Sequence, residues 1–176
     1  VLSVNGNLSV TGNCRDAGAS TPCDITADIA EAFNVSKSRA EAGDILVVDT
    51  SNNKFDKGAM LSYKPYDSNV LGVVSTNPTI VMGRLDGGTP VALTGVVPLK
   101  ATDENGIIEK GDLLTTSSKA GYAMKCKVKD VPIGILWEEA NIIVNNNEKC
   151  RNSILGKALE SCYEKECKIL ALVTLQ

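Results

Sequence analysis

The residues with the most evident chemistry in this chain are its six cysteines. No Cys-x-x-Cys pair occurs, so the sequence lacks the signature of thioredoxin-like redox sites and of common zinc ribbons. Their even number predicts three disulfides, which persist in an oxidising, extracytoplasmic compartment. We expect local pairs: Cys14–Cys23, Cys126–Cys150 and Cys162–Cys167. Buried free thiols and a metal site made of cysteines alone are the alternatives.

The absence of histidine from all 176 residues excludes whole classes of site. Ser-His-Asp and Cys-His nucleophiles, imidazole-ligated zinc and a histidine general base are impossible. The net charge of −3, with lysines and acids interspersed, leaves no basic stripe for a nucleic acid. Aromatic residues make up 4% of the chain, so stacking platforms for bases or sugars are scarce. We therefore expect no cofactor, no metal and no nucleic-acid partner.

Three local motifs have a chemical interpretation, and each has a simpler one. Ser117-Ser118-Lys119 suggests a serine–lysine dyad, but this lysine lies at an expected turn, where it would stay hydrated. Residues 103–106 (Asp-Glu-Asn-Gly) include two acids but lack the alternating oxygen ligands of a calcium loop, and they are more typical of a hairpin turn. The glycine-rich residues 83–88 are not followed by the Gly-Lys-Ser/Thr of a phosphate loop.

Two Asn-x-Ser triplets, at Asn7 and Asn34, are glycosylation sequons and agree with an extracellular location. No apolar run has transmembrane length. Since the chain begins at Val1 without a signal peptide, we interpret it as a mature chain. Either signal-peptide removal or excision from a longer precursor would explain that start. The expected location is secreted or on the cell surface.

The elements that position these residues are mostly strands. Val, Ile and Thr cluster in short runs between turn signals, at spacings of about 8–12 residues. This pattern predicts a mainly β fold, a small β-barrel or sandwich-like domain with one or two short helices. The helices are predicted over residues 24–33 and, more weakly, 155–163. Residues 138–153, with a polar loop at 145–149, are expected to form a surface excursion tied back by Cys150.

A faint internal echo relates two turns of the chain. Residues 41–46 (Glu-Ala-Gly-Asp-Ile-Leu) resemble residues 109–114 (Glu-Lys-Gly-Asp-Leu-Leu). Each turn is followed later by an apolar stretch ending in Leu-Gly, at residues 70–72 and 154–156. We interpret the echo as a duplicated β-unit, two copies of which fold together. A duplicated binding loop is the alternative.

Residues 1–13 form a strand or linker segment, ahead of a β-rich globular domain over residues 14–176. Asn5-Gly6 lies between alternating residues and is the strongest short hairpin signal. One face of that hairpin would carry four apolar side chains: Leu2, Val4, Leu8 and Val10. Such a strand is held either by its own domain or by the sheet edge of a neighbouring subunit.

The order of these motifs, most specifically Val73-Val74-Ser75-Thr76-Asn77-Pro78, resembles a known family. It resembles the C-terminal β-domain of large microbial (bacterial and archaeal) surface and fibre proteins. There the domain often follows short repeats like residues 5–13. The chain is also similar, more distantly, to the autoproteolytic intramolecular-chaperone domain of phage tail spikes. The resemblance implies an extracellular β-rich module in an oligomer or filament. Residues 131–150 and the cysteines depart from the pattern.

The more distant resemblance also implies candidate catalytic residues, because that family cuts itself with acidic residues near its N-terminal boundary. The matching positions are Asp28 and Glu31. On the predicted helix they would share one face, and one carboxyl would keep a raised pKa beside the other. A solvated helix face with a capping aspartate is the alternative.

The leading functional hypothesis is a secreted structural protein that assembles with copies of itself. Residues 1–12 would add a strand to the sheet of the next subunit, with the four apolar side chains setting the register. A head-to-tail contact of this kind gives filaments. One alternative is a self-cleaving chaperone or cap domain released from a longer surface protein. Another is a receptor- or glycan-binding cap, although the shortage of aromatics counts against glycans.

Overall fold

The computed structural model describes residues 28–35, 40–51, 58–83 and 87–174. These residues form ten strands and one helix, α1, at Trp137–Arg151, which confirms the mainly β prediction. The strands are β1 Asp28–Val35, β2 Ile45–Val48, β3 Gly58–Leu61, β4 Val70–Val74, β5 Ile80–Met82, β6 Thr89–Thr102, β7 Leu113–Thr116, β8 Ala123–Lys125, β9 Gly156–Ala158 and β10 Glu166–Thr174. The predictions for Leu2, Val4, Asn7, Leu8, Val10, Cys14 and Cys23 lie outside the described residues.

All ten strands belong to one sheet, in which the longest strand, β6, is used twice. The N-terminal half of β6 pairs with β1 and β4, and the pairing continues from β4 through β2 and β3 back to β1. The C-terminal half pairs with β10 and β8, and these are joined through β9 and β7. Two circuits of strands therefore share β6, while β5 is attached outside them along β1.

The two circuits are copies of one unit, as the sequence echo predicted. Both turns contain a glycine at positive φ, Gly43 at 88° and Gly111 at 97°. In the first turn the Glu41 N–H donates to Asp44 Oδ2 at 2.7 Å. In the second turn the Glu109 N–H donates to Asp112 Oδ2 at the same distance. The Gly43 N–H donates to the carbonyl of Val74, the last residue of β4, at 3.0 Å. The Gly111 N–H donates to the carbonyl of Ala158, the last residue of β9, at 2.8 Å. Strand β6 ends the first unit and begins the second.

Each unit also contains a glycine where two strands approach closely. A Cβ built on Gly72 in β4 would lie 2.1 Å from the carbonyl oxygen of Ala92, in β6. A Cβ on Gly156 in β9 would lie 2.2 Å from the carbonyl oxygen of Leu172, in β10. The equivalence of these contacts shows that the duplication extends from the turns into the packing of the strands.

The core fills the second circuit and extends into the first. Its fully buried side chains include Ile45, Leu99, Ile108, Leu114 and Leu155. A smaller apolar cluster lies in the first unit. Burial of this much aliphatic surface is the main source of stability in a domain of this size.

The predicted helix over residues 24–33 is wrong in the part that the structure describes, because the chain from Asp28 onward is β1. Ala30 and Ala32 are buried while Ile29 is exposed, which is the two-residue period of a strand. The local composition favours a helix, but pairing with β6 on one side and with β3 and β5 on the other overrides it.

The predicted helix over residues 155–163 is also wrong, since this stretch holds β9 and irregular chain. The polar loop predicted at 145–149 is instead part of α1. The Asn147 side chain stabilises that helix by accepting from the Lys129 N–H (2.9 Å) and donating to the Lys129 carbonyl (2.7 Å). The excursion itself is confirmed, and it returns through the disulfide Cys126–Cys150. The pair Cys162–Cys167 is also bonded.

Strands β1 and β10 flank β6 at a common point. Asp28, the first residue of β1, lies opposite Gly95. Val173, near the end of β10, lies opposite the same glycine. The first described strand therefore starts, and the last one ends, on opposite sides of Gly95.

Candidate functional site

Asp28 lies where three strands meet. It begins β1, it faces Gly95 in β6, and its carbonyl accepts a 3.0 Å hydrogen bond from the N–H of Thr79, next to β5. The side chain is only 3% exposed. It lines an opening of about 280 Å³ together with Ser75, Asn77 and other residues.

The Asp28 carboxyl is incompletely satisfied. Ser75 Oγ donates to its Oδ1 at 3.2 Å, and Oδ2 has no hydrogen-bond partner among the described residues. Burial raises the pKa of Asp28, because desolvation disfavours the charged form, and the Ser75 hydrogen bond opposes that rise only in part. A carboxyl of this kind can hold a proton at a pH where an exposed aspartate is ionised.

Glu31 does not join Asp28, so the acidic pair expected from the sequence does not form. Asp28, Ala30 and Ala32 follow the buried alternation of β1, whereas Glu31 is half-buried at an alternate position. Residues an odd number apart in a strand point to opposite faces. Asn34 lies half-buried on β1, opposite Gly58 of β3, and its glycosylation stays a prediction.

We expect Asp28→Asn to change the pH dependence of stability. The folded state holds the Asp28 proton more tightly than the unfolded state does. The protonated carboxyl therefore contributes to the free energy of unfolding, and this contribution is complete below about pH 4. It is lost as pH rises through the raised pKa. The asparagine variant lacks that loss and should melt a few degrees above the parent at pH 7, with the gap closing toward pH 4. Thermal melts across this range measure it, with Asp103→Asn in an exposed turn as the matched control. A gap that does not vary with pH would contradict the prediction.

Strand β5 lies at the edge of the sheet that the described residues form. Among the described strands it alone is paired on one side only, with β1. Its side chains Ile80, Val81 and Met82 are 51%, 49% and 44% exposed. Beside it, Ile29, Ile80 and Thr94 line an apolar depression of about 240 Å³. The short run between Pro78 and Gly83 was visible in the sequence, but its edge position follows only from the topology.

A second exposed apolar region is the arm, which we define as residues 127–149 between the two bonded cysteines. Within α1 only Cys150 is buried. Ile133 is fully exposed, and Leu136 and Trp137 are 70% and 78% exposed. No helix in the described parts of the chain is long and apolar enough to cross a membrane. The sequence predicted the excursion but not its helix or its apolar tip.

The remaining motifs have structural roles. Ser117 is buried, and its Oγ donates to the carbonyls of Lys119 (3.1 Å) and Tyr122 (2.9 Å), closing a turn. Lys119 forms an ion pair with Glu166, so no serine–lysine dyad forms. The Gly106 N–H donates to the Asp103 carbonyl at 2.7 Å, as a tight turn requires. Within the described ranges, no group of three or more acidic or cysteine side chains is placed to hold a metal ion.

Neither the comparison with protein-family models nor the search of curated proteins found a match to this chain. The resemblance to surface and fibre proteins therefore stays a prediction. The described features that bear on function are the β5 edge and the surroundings of Asp28.

Proposed function

We propose that this chain is an extracellular structural subunit that assembles with copies of itself. The N-terminal strand of one copy adds to the β5 edge of the next. The observation that carries the proposal is β5 itself, a strand with three exposed apolar side chains and, among the described strands, a partner on one side only. An open edge of this kind offers backbone donors and acceptors that an added strand satisfies.

The edge lacks the charges and prolines that monomeric proteins place on exposed strands. Lysines, prolines within the strand and bulges usually block such edges. Strand β5 consists of Ile80, Val81 and Met82, without a charge or a proline. The pairings of the other described strands close into the two circuits, so the open hydrogen-bonding capacity is concentrated at this one place.

The N-terminal segment has the pattern that this edge needs. Leu2-Ser3-Val4 and Leu8-Ser9-Val10 are both apolar–polar–apolar triplets, equal in length to β5. In either triplet the two apolar side chains would lie on the face that Ile80 and Met82 share. The segment joins the fold at Asp28, beside this edge. The intervening residues 13–27 span about 50 Å when extended, which is enough to reach a neighbour.

Two described disulfides, Cys126–Cys150 and Cys162–Cys167, support the extracellular part of the proposal. Such bonds persist in oxidising compartments and are rare in the cytosol. They also close the excursion and the turn before β10, two exposed parts of the fold.

We expect the double variant Ile80→Lys/Met82→Lys to abolish assembly. Two ammonium groups on the edge would have to be desolvated against the apolar donor strand. Light scattering should report the monomer mass, and electron micrographs should show no filaments. The control is Ile107→Lys, an equally exposed apolar site away from the edge. Filaments formed by the double variant at the parental concentration would overturn the proposal.

A mixing experiment separates a neighbour's strand from the chain's own strand. A chain lacking residues 1–12 keeps an acceptor edge and no donor, and the double variant keeps a donor and no acceptor. Each should be monomeric alone, and together they should form a one-to-one complex that grows no further. If both stay monomeric in the mixture, the N-terminal segment does not add to the edge of a neighbour and the filament proposal fails.

Self-cleavage in a longer precursor is a second candidate function, and the chemistry of Asp28 favours it. A buried carboxyl with a raised pKa, whose Oδ2 has no hydrogen-bond partner in the described part of the chain, is suited to donate a proton to a peptide bond. Asp28→Asn should leave a precursor uncut, whereas Glu31→Gln should not, because Glu31 lies at the alternate position of β1. Normal cutting of the Asp28→Asn precursor would exclude this role.

A further inference from the structure

A polar cleft of about 670 Å³ lies between the C-terminal half of α1 and the connection from β3 to β4. Its helical wall belongs to the excursion between β8 and β9, and its other wall belongs to the first unit. Its lining is rich in side-chain amides and amines: Lys64, Tyr66, Asn145, Asn146, Lys149 and Asn152. We call it the asparagine cleft.

One wall of the asparagine cleft is rigid. Tyr66 has φ 56°, a left-handed conformation that is uncommon for a bulky residue. Its N–H donates to the carbonyl of Thr116 at 3.1 Å, and its hydroxyl accepts from Asn105 Nδ2 at 2.6 Å. Strained residues that the surroundings hold this firmly are often found at ligand sites. The hydroxyl is the acceptor in this bond and keeps its own proton, so Tyr66 can offer a ligand both its ring and an O–H donor.

The other wall uses residues that a helix does not favour. Asparagine is a poor helix former, and Asn145, Asn146 and Asn147 occur in succession within α1. Asn147 is accounted for by its two hydrogen bonds to Lys129. Asn145 and Asn146 are exposed and line the cleft. Helix stability does not explain their place in α1, and their amides face the space that a ligand would occupy.

The charge of the cleft selects among ligands. Lys64 and Lys149 outnumber Glu148 in its lining, within a chain of net charge −3. Primary amides both donate and accept, as paired sugar hydroxyls require, and an ammonium group pairs with a carboxylate. We propose that the asparagine cleft binds a sugar residue that carries a carboxylate, with the amides on the hydroxyls and the lysines on the acid group. This proposal does not rest on the assembly of the chain.

Isothermal titration of the full chain with tetragalacturonate tests the proposal. We expect saturable binding, and at least about tenfold weaker binding of the fully methyl-esterified tetramer, which keeps the hydroxyls and lacks the charge. Asn145→Ala/Asn146→Ala should weaken binding by a similar factor without loss of helicity, because alanine is the better helix former. Asn141→Ala, in the same helix outside the cleft lining, is the matched control. Lys149→Gln should weaken binding of the acid and leave binding of the ester unchanged.

Three results would overturn the proposal. One is the absence of saturable binding of tetragalacturonate up to about 10 mM. Another is equal affinity of the double alanine variant and the parent. The third is binding of tetraglutamate as tight as that of the sugar, which would show that the cleft recognises acidic peptides through charge alone.

Discussion

Gly72→Ala and Gly156→Ala should each lower the free energy of unfolding by about 3 kcal/mol. The added methyl group would lie 2.1 Å from the Ala92 carbonyl oxygen in the first case and 2.2 Å from that of Leu172 in the second. Backbone atoms rather than flexible side chains occupy the space, so two strands would have to separate. Urea unfolding of both variants measures the effect.

Gly111→Ala is the matched control for these substitutions. A Cβ at Gly111 meets nothing within 4 Å, but the residue has φ 97°. Its replacement should therefore cost only the conformational term, about 1 kcal/mol. If Gly72→Ala and Gly156→Ala unfold at the midpoint of the control, the strands do not approach as closely as described. If only one is severely destabilised, the packing of the two units is not equivalent.

The second large effect is expected from Cys126→Ser/Cys150→Ser, which should unfold α1 and leave the sheet folded. Cys150 is the only buried residue of α1, and an isolated helix of 15 residues is marginal in water. The bond closes a loop with a sequence separation of 24, which is worth about 3 kcal/mol in the chain-entropy model. Because Cys150 is the only buried residue of α1, losing the disulfide should destabilise the arm and leave the stability of the sheet almost unchanged.

Circular dichroism at the helical minimum should report the loss, while the melting temperature of the sheet changes little. Cys162→Ser/Cys167→Ser is the control, since its pair has a sequence separation of only 5 and lies outside the arm. Binding of tetragalacturonate should disappear together with the helix. A helical signal that survives in the Cys126→Ser/Cys150→Ser variant would show that other contacts hold α1.

Strand content, the duplicated turns and two cysteine pairs could be predicted because each depends on residues close in sequence or on a repeated pattern. The nature of β1 could not. Its Asp-Ile-Ala-Glu-Ala stretch is compatible with a helix, and it is a strand only because β6 pairs with it from more than fifty residues away. Helix α1 was missed for a similar reason. Three successive asparagines indicate a loop. The helix is held instead by contacts distant in sequence, the hydrogen bonds of Asn147 to Lys129 and the disulfide Cys126–Cys150.

The candidate site was predictable only in fragments. Asp28 was selected through a resemblance, but its contact, Ser75, is 47 residues away and carried no local signal. A helix would place Glu31 on the same face as Asp28, whereas strand β1 places the two side chains on opposite faces. The apolar run at β5 was visible, whereas its unpaired edge is a property of the strand order.

The meeting of β1 and β10 at Gly95 makes this fold suitable as an insertion module. Its described chain starts and ends on opposite sides of one residue, about two strand spacings or 10 Å apart. A host protein could therefore carry the fold within a surface loop without having to span the width of the domain. A linker of a few residues across that gap would likewise permit circular permutation, with new ends placed at an exposed turn such as residues 103–106.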